Sequence, residues 1–117
     1  MTTYYIRVNG QDYPSYSING KLHNEDWDNR HTKTFTVKMT YEQAMATFQD
    51  GTAWAIVSVT TPDEGDEPFE PYEEVFDNSD FIFAGDVTDH RDGTVSVTMG
   101  QMTELEEAYE LLYRGDE

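Results

Sequence analysis

A chain of 117 residues can bury one apolar core and is too short for two. Its 24 acidic side chains against 7 basic ones give a formal charge of -17, well beyond the ~2 to 8 that keeps a small domain soluble; such a field repels nucleic acid and anionic membranes and attracts basic protein surfaces. The absence of cysteine excludes disulfides, thiolate zinc sites and a thiol nucleophile, and no run approaches the ~18 apolar residues of a membrane span.

Tyr4, Ile6 and Val8 alternate with Tyr5, Arg7 and Asn9, and Asn9-Gly10 is the positive-φ pair that a two-residue hairpin turn prefers. The register it sets places Ile6 opposite Tyr13 and Arg7 opposite Asp12, an apolar pair and an opposite-charge pair. Asn19-Gly20 predicts a second turn, with the register beyond it left open. The polar stretch from Lys21 to Lys33 reads as a connecting loop in which Trp27 forms a lid on the core. Phe35, Val37 and Met39 alternate with polar residues, as in a strand with one buried face. Thr40-Tyr41-Glu42-Gln43 then matches a capping box, Tyr41, Ala44, Met45 and Phe48 form a helical stripe, and Gly51 ends that helix.

Ala53 to Val59 is apolar on both parities, the pattern of an inner strand covered on both faces. Residues 61–80 break the pattern with Pro62, Gly65, Pro68, Pro71 and nine carboxylates, and read as a long mobile loop or an extended edge excursion. Phe81, Phe83 and Val87, then Val95, Val97 and Met99 beyond the turn at Asp89-His90-Arg91-Asp92-Gly93, make a second hairpin with Thr88, Thr94, Ser96 and Thr98 on its polar face. Thr103-Glu104-Leu105-Glu106 is another capping box. It opens a helix with Leu105, Ala108, Tyr109 and Leu112 on a core-facing stripe and Glu104, Glu106, Glu107 and Glu110 largely off it. The expected architecture is one α+β domain over residues 1–117: a largely antiparallel sheet of about five to seven strands, two helices, and an acidic, proline-containing loop at about 61–80.

Catalytic signatures are missing. The chain has no glycine-rich phosphate cradle, nucleophile elbow or paired histidines at helical metal spacing. His23, His31 and His90 fall in predicted loops or turns and read as ordinary solvated histidines. Asp86, Asp89 and Asp92 are spaced by three where a calcium loop spaces its acids by two, and Gly93 is explained by the turn. The loop acids could collect divalent cations loosely, but nothing fixes a ligand set. A glycosidase would need two carboxylates ~5 to 9.5 Å apart in a cleft, and nothing picks such a pair. The expectation is a protein without catalytic residues, cofactor or metal.

Charge is divided unequally. Residues 1–39 hold five basic and four acidic side chains, whereas residues 40–117 hold two basic and twenty acidic ones, so the second part carries a balance of -18. Acidity has two readings here, plain solubility or an electrostatic decoy that occupies the Lys and Arg array of a nucleic-acid-binding protein. The candidate partner-binding residues are Asp63, Glu64, Asp66, Glu67, Glu70, Tyr72, Glu73, Glu74 and Asp77, with Glu104, Glu107 and Glu110 on the last helix. Phe69, Tyr72 and Phe76 either anchor an acidic-aromatic docking segment or tie the loop to the core.

Asp26-Trp27-Asp28-Asn29-Arg30, Thr40-Tyr41-Glu42-Gln43-Ala44, Ala84 through Thr94, Met99-Gly100 and Thr103-Glu104-Leu105-Glu106 together resemble small acidic proteins encoded by phages and prophages of gut-type bacteria. That resemblance spans most of the chain and implies an origin on a mobile element. Acidic phage proteins of this size include anti-CRISPR proteins and other DNA mimics, and also tail or baseplate accessories. The expected function is therefore inhibition of a host defence nuclease such as a CRISPR complex by binding its basic surface in the host cytoplasm, with a tail-associated structural module as the alternative. No membrane and no direct nucleic-acid partner is expected.

Overall fold

A computed structural model describes residues 1–115 of the chain, with side chains as far as Leu112. The strands are β1 (Thr2–Val8), β2 (Gln11–Asn24), β3 (Arg30–Lys38), β4 (Trp54–Thr60), β5 (Tyr72–Asp77), β6 (Phe83–Asp89) and β7 (Thr94–Gly100); the helices are α1 (Tyr41–Thr47) and α2 (Glu104–Gly115). All seven strands join one sheet in the order β5-β4-β1-β2-β3-β7-β6, and every neighbouring pair is antiparallel. This is the α+β architecture that the sequence predicts.

The sheet curls around its own core. Trp54 and Phe35 sit on strands three places apart in the sheet, ~14 Å in a flat arrangement, yet their ring centroids are 4.9 Å apart. The concave face gathers Ile6, Val8, Phe35, Val37, Trp54, Ile56, Val95, Val97 and Met99. Ala44 of α1 and Phe48 at its C-cap cover one part of it. The segment between β5 and β6 closes it further: Trp54 donates its indole N–H to the Phe81 carbonyl (3.2 Å), and the Asn78 N–H donates to the Trp54 carbonyl (2.9 Å). Buried Asn78 also accepts from Lys33, whose ammonium lies 4.7 Å over the Phe81 ring. The convex face is polar at its centre, where Thr34 meets Thr98 (2.8 Å) and Thr36 meets Ser96 (2.9 Å) across strands.

The first hairpin has the predicted register, Ile6 with Tyr13 and Arg7 with Asp12. The second hairpin, β6 with β7, forms as predicted too, with a bulge between Ala84 and Val87. Both capping boxes supply their N-caps: Gln43 N–H donates to Thr40 Oγ1 (3.1 Å), and Glu106 N–H donates to Thr103 Oγ1 (3.2 Å).

Five expectations need correction. No turn forms at Asn19-Gly20; β2 runs straight through, with Asn19 opposite Thr34 and Gly20 opposite Lys33, because β3 offers a partner there. The chain reverses later, through a 3-10 turn at Glu25–Trp27 and left-handed Asp28 (φ 56°) and Asn29 (φ 59°). Trp27 consequently covers Arg30 beside the convex-face residues Thr98 and Gly100 and is not a lid on the concave core. In α1 only Ala44 is buried, with Phe48 buried at the cap that follows, whereas Tyr41 and Met45 are exposed, since a two-turn helix meets the sheet along one narrow line. The span 61–80 is a loop only in part, because residues 72–77 pair with β4 along their whole length as β5, which is the extended edge excursion of the two readings.

The last correction concerns α2. Its predicted core stripe is exposed, Leu105 at 81% and Leu112 at 73%. Next to β7 and β6 the concave face is already covered by α1 and Phe81, and the part left open beside β5 lies at the far side of the sheet from α2. No helix among the described residues is long and apolar enough to cross a membrane.

Candidate functional site

β5 begins immediately after Pro71, where the missing N–H is tolerated at the start of a strand, and Tyr72, Val75 and Phe76 are strand formers. Its register, Tyr72 opposite Thr60 through Asp77 opposite Ala55, puts Tyr72, Glu74 and Phe76 on the concave side and Glu73, Val75 and Asp77 on the convex side. All six residues are exposed, Phe76 at 49%. The burial of an ordinary core strand is absent because β5 is outermost and no helix covers it.

The acids arrive at this edge in order. Between Asp63 and Asp77 the chain holds eight carboxylates and no basic side chain. The loop before β5 turns at Gly65 (φ 93°), where the Asp63 N–H donates to Asp66 Oδ2 (3.0 Å). Its root is fastened by the N-terminal ammonium, 3.0 Å from Asp63 and donating to the Thr61 carbonyl (2.7 Å). Glu64, Asp66, Glu67 and Glu70 are exposed. Phe69 and Tyr72 stack with ring centroids 6.0 Å apart, so the aromatics brace the loop against the strand while their outer faces stay in water.

Beyond Asp63 and Asp66, two more of these carboxylates, Glu73 and Asp77, are engaged locally. Arg7 donates to Asp12 through Nε (2.7 Å) and Nη2 (3.0 Å), and Nη2 reaches Glu73 at 3.3 Å. The Arg7 hydrogen bond holds the Asp12 carboxyl below its ordinary range. Asp77 accepts from the Ser79 hydroxyl (2.5 Å) and N–H (3.0 Å), and these two bonds lower its pKa in that order. Beside the strand, on the concave face, Tyr4, Ser15, Tyr16, Ser17, Ile18, Ile56 and Phe76 line an open groove of about 490 Å3. This part of the face lies beyond the reach of α1.

The α2 candidates stand elsewhere. Glu104 and Glu107 are exposed and Glu110 is half-buried, on a helix that follows β7, five places from β5 in the sheet. What anchors α2 is Glu106, which accepts from Arg30 Nη1 (2.9 Å) and Nη2 (3.3 Å). Arg30 is buried, lies 4.7 Å over the Trp27 ring and 5.0 Å over the Phe83 ring, and also donates to the Gln101 carbonyl (2.9 Å). The Arg30 hydrogen bond, then the Thr103 N–H, lowers the Glu106 pKa. A mixed-polarity cleft of about 760 Å3 lies between this clamp and α2, but the clamp already occupies Arg30's terminal nitrogens.

The structure therefore gathers Asp63, Glu64, Asp66, Glu67, Glu70, Tyr72, Glu73, Glu74 and Asp77 on one edge and leaves Glu104, Glu107 and Glu110 on a separate element. Sequence reasoning missed Tyr4 and Ile56 as groove residues, although each stands two positions from a buried neighbour, Ile6 and Trp54. It also missed Arg30, whose hydrogen-bond partners Gln101 and Glu106 lie more than seventy positions away and leave no local trace. Asp89 and Asp92 serve the β6–β7 turn, accepting from the N–H groups of Arg91 and Thr94 (2.9 Å each). His31 is not a solvated loop residue, for it lies in β3 with its ring 4.9 Å from Phe81. Among the described residues no group of three His, Cys, Asp or Glu side chains could hold a metal ion.

The fold and site define an antiparallel α+β domain with one acidic, aromatic sheet edge. No family model matches the chain, and no curated protein and no solved structure matches it either.

Proposed function

We propose that this domain is a binding module that presents its acidic edge to the basic, nucleic-acid-binding surface of another protein. In the phage setting that the sequence resembles, that protein is a host defence nuclease such as a CRISPR complex, inhibited in the host cytoplasm by occupation of its DNA-binding cleft. The observation that carries this reading is the exposed run of eight carboxylates from Asp63 to Asp77, uninterrupted by any basic side chain. Proteins that grip duplex DNA face about one negative charge per 1.7 Å of axis with Lys and Arg arrays. A rigid strand and braced loop carrying carboxylates attract such arrays at long range and associate quickly. Binding, with no chemical step, is the activity proposed.

The test uses Glu67→Lys, Glu70→Lys and Glu74→Lys together, sparing Glu73 and Asp77 because Arg7 and Ser79 already engage them. The triple variant should keep the fold and lose roughly tenfold or more in inhibition of a CRISPR nuclease, and the wild-type effect should weaken as salt rises. Inhibition unchanged by both the charge reversal and salt would refute the reading. A second reading, a tail or baseplate module, is favoured by one observation, the exposed Leu105, Leu111 and Leu112 of α2. It predicts self-association in sedimentation and recovery in purified particles.

A further inference from the structure

The two edges of the sheet are built differently. At the β6 edge the ladder is broken by the bulge between Ala84 and Val87, the Ala84 N–H is taken by Asp50 Oδ1 (2.9 Å), and Trp27 presses on Gly85. These are devices by which proteins blunt an edge against further pairing. At the β5 edge, among the described residues, there is no bulge, no side chain on an outward N–H and no covering ring: the β4–β5 register runs unbroken from Tyr72 to Asp77, without proline, and the edge is guarded only by its carboxylates, which repel acidic strands and not basic ones.

The direction of the free backbone follows from that register. The Asn78 N–H to Trp54 carbonyl bond (2.9 Å) makes position 78 face β4, so in an antiparallel ladder Phe76, Glu74 and Tyr72 face inward as well. Glu73, Val75 and Asp77 then turn their N–H and C=O groups away from the sheet, in the geometry that another strand requires.

We propose that β5 accepts an extended segment of the basic partner, one in which apolar and basic residues alternate, as an added strand; this rests on the reading of the acidic edge given above. Side chains of an added strand on the concave side lie beside Tyr72 and Phe76, with Glu74 between them, and next to the groove of Tyr4, Tyr16 and Ile56, so those that meet the two aromatics are apolar. Those on the convex side lie beside Glu73, Val75 and Asp77, so they are basic. Alternation arises because successive side chains of a strand point to opposite faces. Charge also decides against a second copy of this chain. Two β5 edges laid together would juxtapose Glu73, Glu74 and Asp77 of both copies within a domain of charge -17.

The probe is a peptide of alternating lysine and valine, compared with an analogue of the same side chains and charge whose amides on one edge are N-methylated. Binding is followed by amide hydrogen exchange and by titration. The unmodified peptide should slow exchange about tenfold or more at Glu73, Val75 and Asp77, while Tyr72, Glu74 and Phe76, already bonded to β4, are slow beforehand. A peptide methylated on the edge that meets β5 should bind about tenfold more weakly, the size expected for losing charge-neutral backbone hydrogen bonds. Val75→Pro removes one outward N–H without altering charge, at an edge position where proline is tolerated, and should weaken the unmodified peptide similarly. Equal binding of both peptides, with no added protection at positions 73, 75 and 77, would overturn strand addition and leave the electrostatic reading standing. If neither peptide bound at low salt, both would fail.

Discussion

Gly85 sits in a slot that a single methyl group should disrupt. A Cβ built there would lie 2.7 Å from Trp27 Cζ3 and 2.9 Å from the Thr98 carbonyl oxygen, against ~3.5 to 4.0 Å for ordinary carbon contacts. Neither neighbour yields easily. Thr98 belongs to β7, so moving its backbone disturbs the pairing with β6 and β3. Trp27 is backed by Arg30, which is itself stacked on Phe83. Overpacking of this kind costs about 1–3 kcal/mol, and restricting the unfolded chain returns about 0.4–1 kcal/mol. The difference runs from about 0 to 2.6 kcal/mol, and two unyielding neighbours put Gly85→Ala in its upper part, at about 1–2 kcal/mol. An unfolding entropy of ~2.1 cal/mol/K per residue makes each kcal/mol worth about 4 °C in a chain of this size, so Tm should fall by about 4–8 °C. Gly20→Ala is the matched control, because its Cβ would meet nothing closer than 4.0 Å and its Tm should hold or rise by about 2 °C. Thermal melts by circular dichroism and tryptophan fluorescence decide the matter. Gly85→Ala melting at or above wild type, or Gly20→Ala falling as far as Gly85→Ala, would show that the slot is not constrained as described.

Leu105→Ala and Leu112→Ala should each change stability by less than about 0.5 kcal/mol, whereas Ile6→Ala should cost about 2–5 kcal/mol; urea titrations compare them directly. Arg30→Lys keeps the charge and loses both the fork onto Glu106 and the planar stack on Trp27 and Phe83, so it should destabilise by about 1–3 kcal/mol in the same titration. Glu106 carries a lowered pKa when folded, so its contribution is present above the unfolded carboxyl value and is lost as pH falls through the folded one. The stability gap between wild type and Glu106→Gln should stay constant above about pH 5 and close below about pH 4. A gap that widens on acidification would contradict the ion pair with Arg30.

Legibility in the sequence followed the range of the interactions. Asn9-Gly10 specified its hairpin, down to Arg7 facing Asp12, because a two-residue turn fixes the register of the strands it joins. The capping boxes at Thr40 and Thr103 likewise need only three residues of local chain. Asn19-Gly20 carries the same turn chemistry and did not turn, since a partner strand from residues 30–38 stabilised the extended form instead. Within the candidate site, the acids of 63–77 were visible as composition. Their ordering into a strand was hidden, because glutamates at an outermost position erase the apolar alternation that marks a half-buried strand.

The sequence by itself determined the elements with short-range causes: two hairpins, two capped helices, an inner strand apolar on both faces, and a surplus of carboxylate confined to residues 40–117. Tertiary structure alone decided which apolar stripes are buried. Helical periodicity placed Leu105 and Leu112 on one face but could not say whether a surface was left beside them to cover; next to β7 the concave face is taken by α1 and Phe81, and its open groove lies at the opposite side of the sheet. It also decided that Arg30, Trp27, Phe83 and Glu106 meet, and that β5 is outermost. Strand order depends on contacts between distant segments, and those contacts are set by how the whole core packs, which no local pattern of residues records.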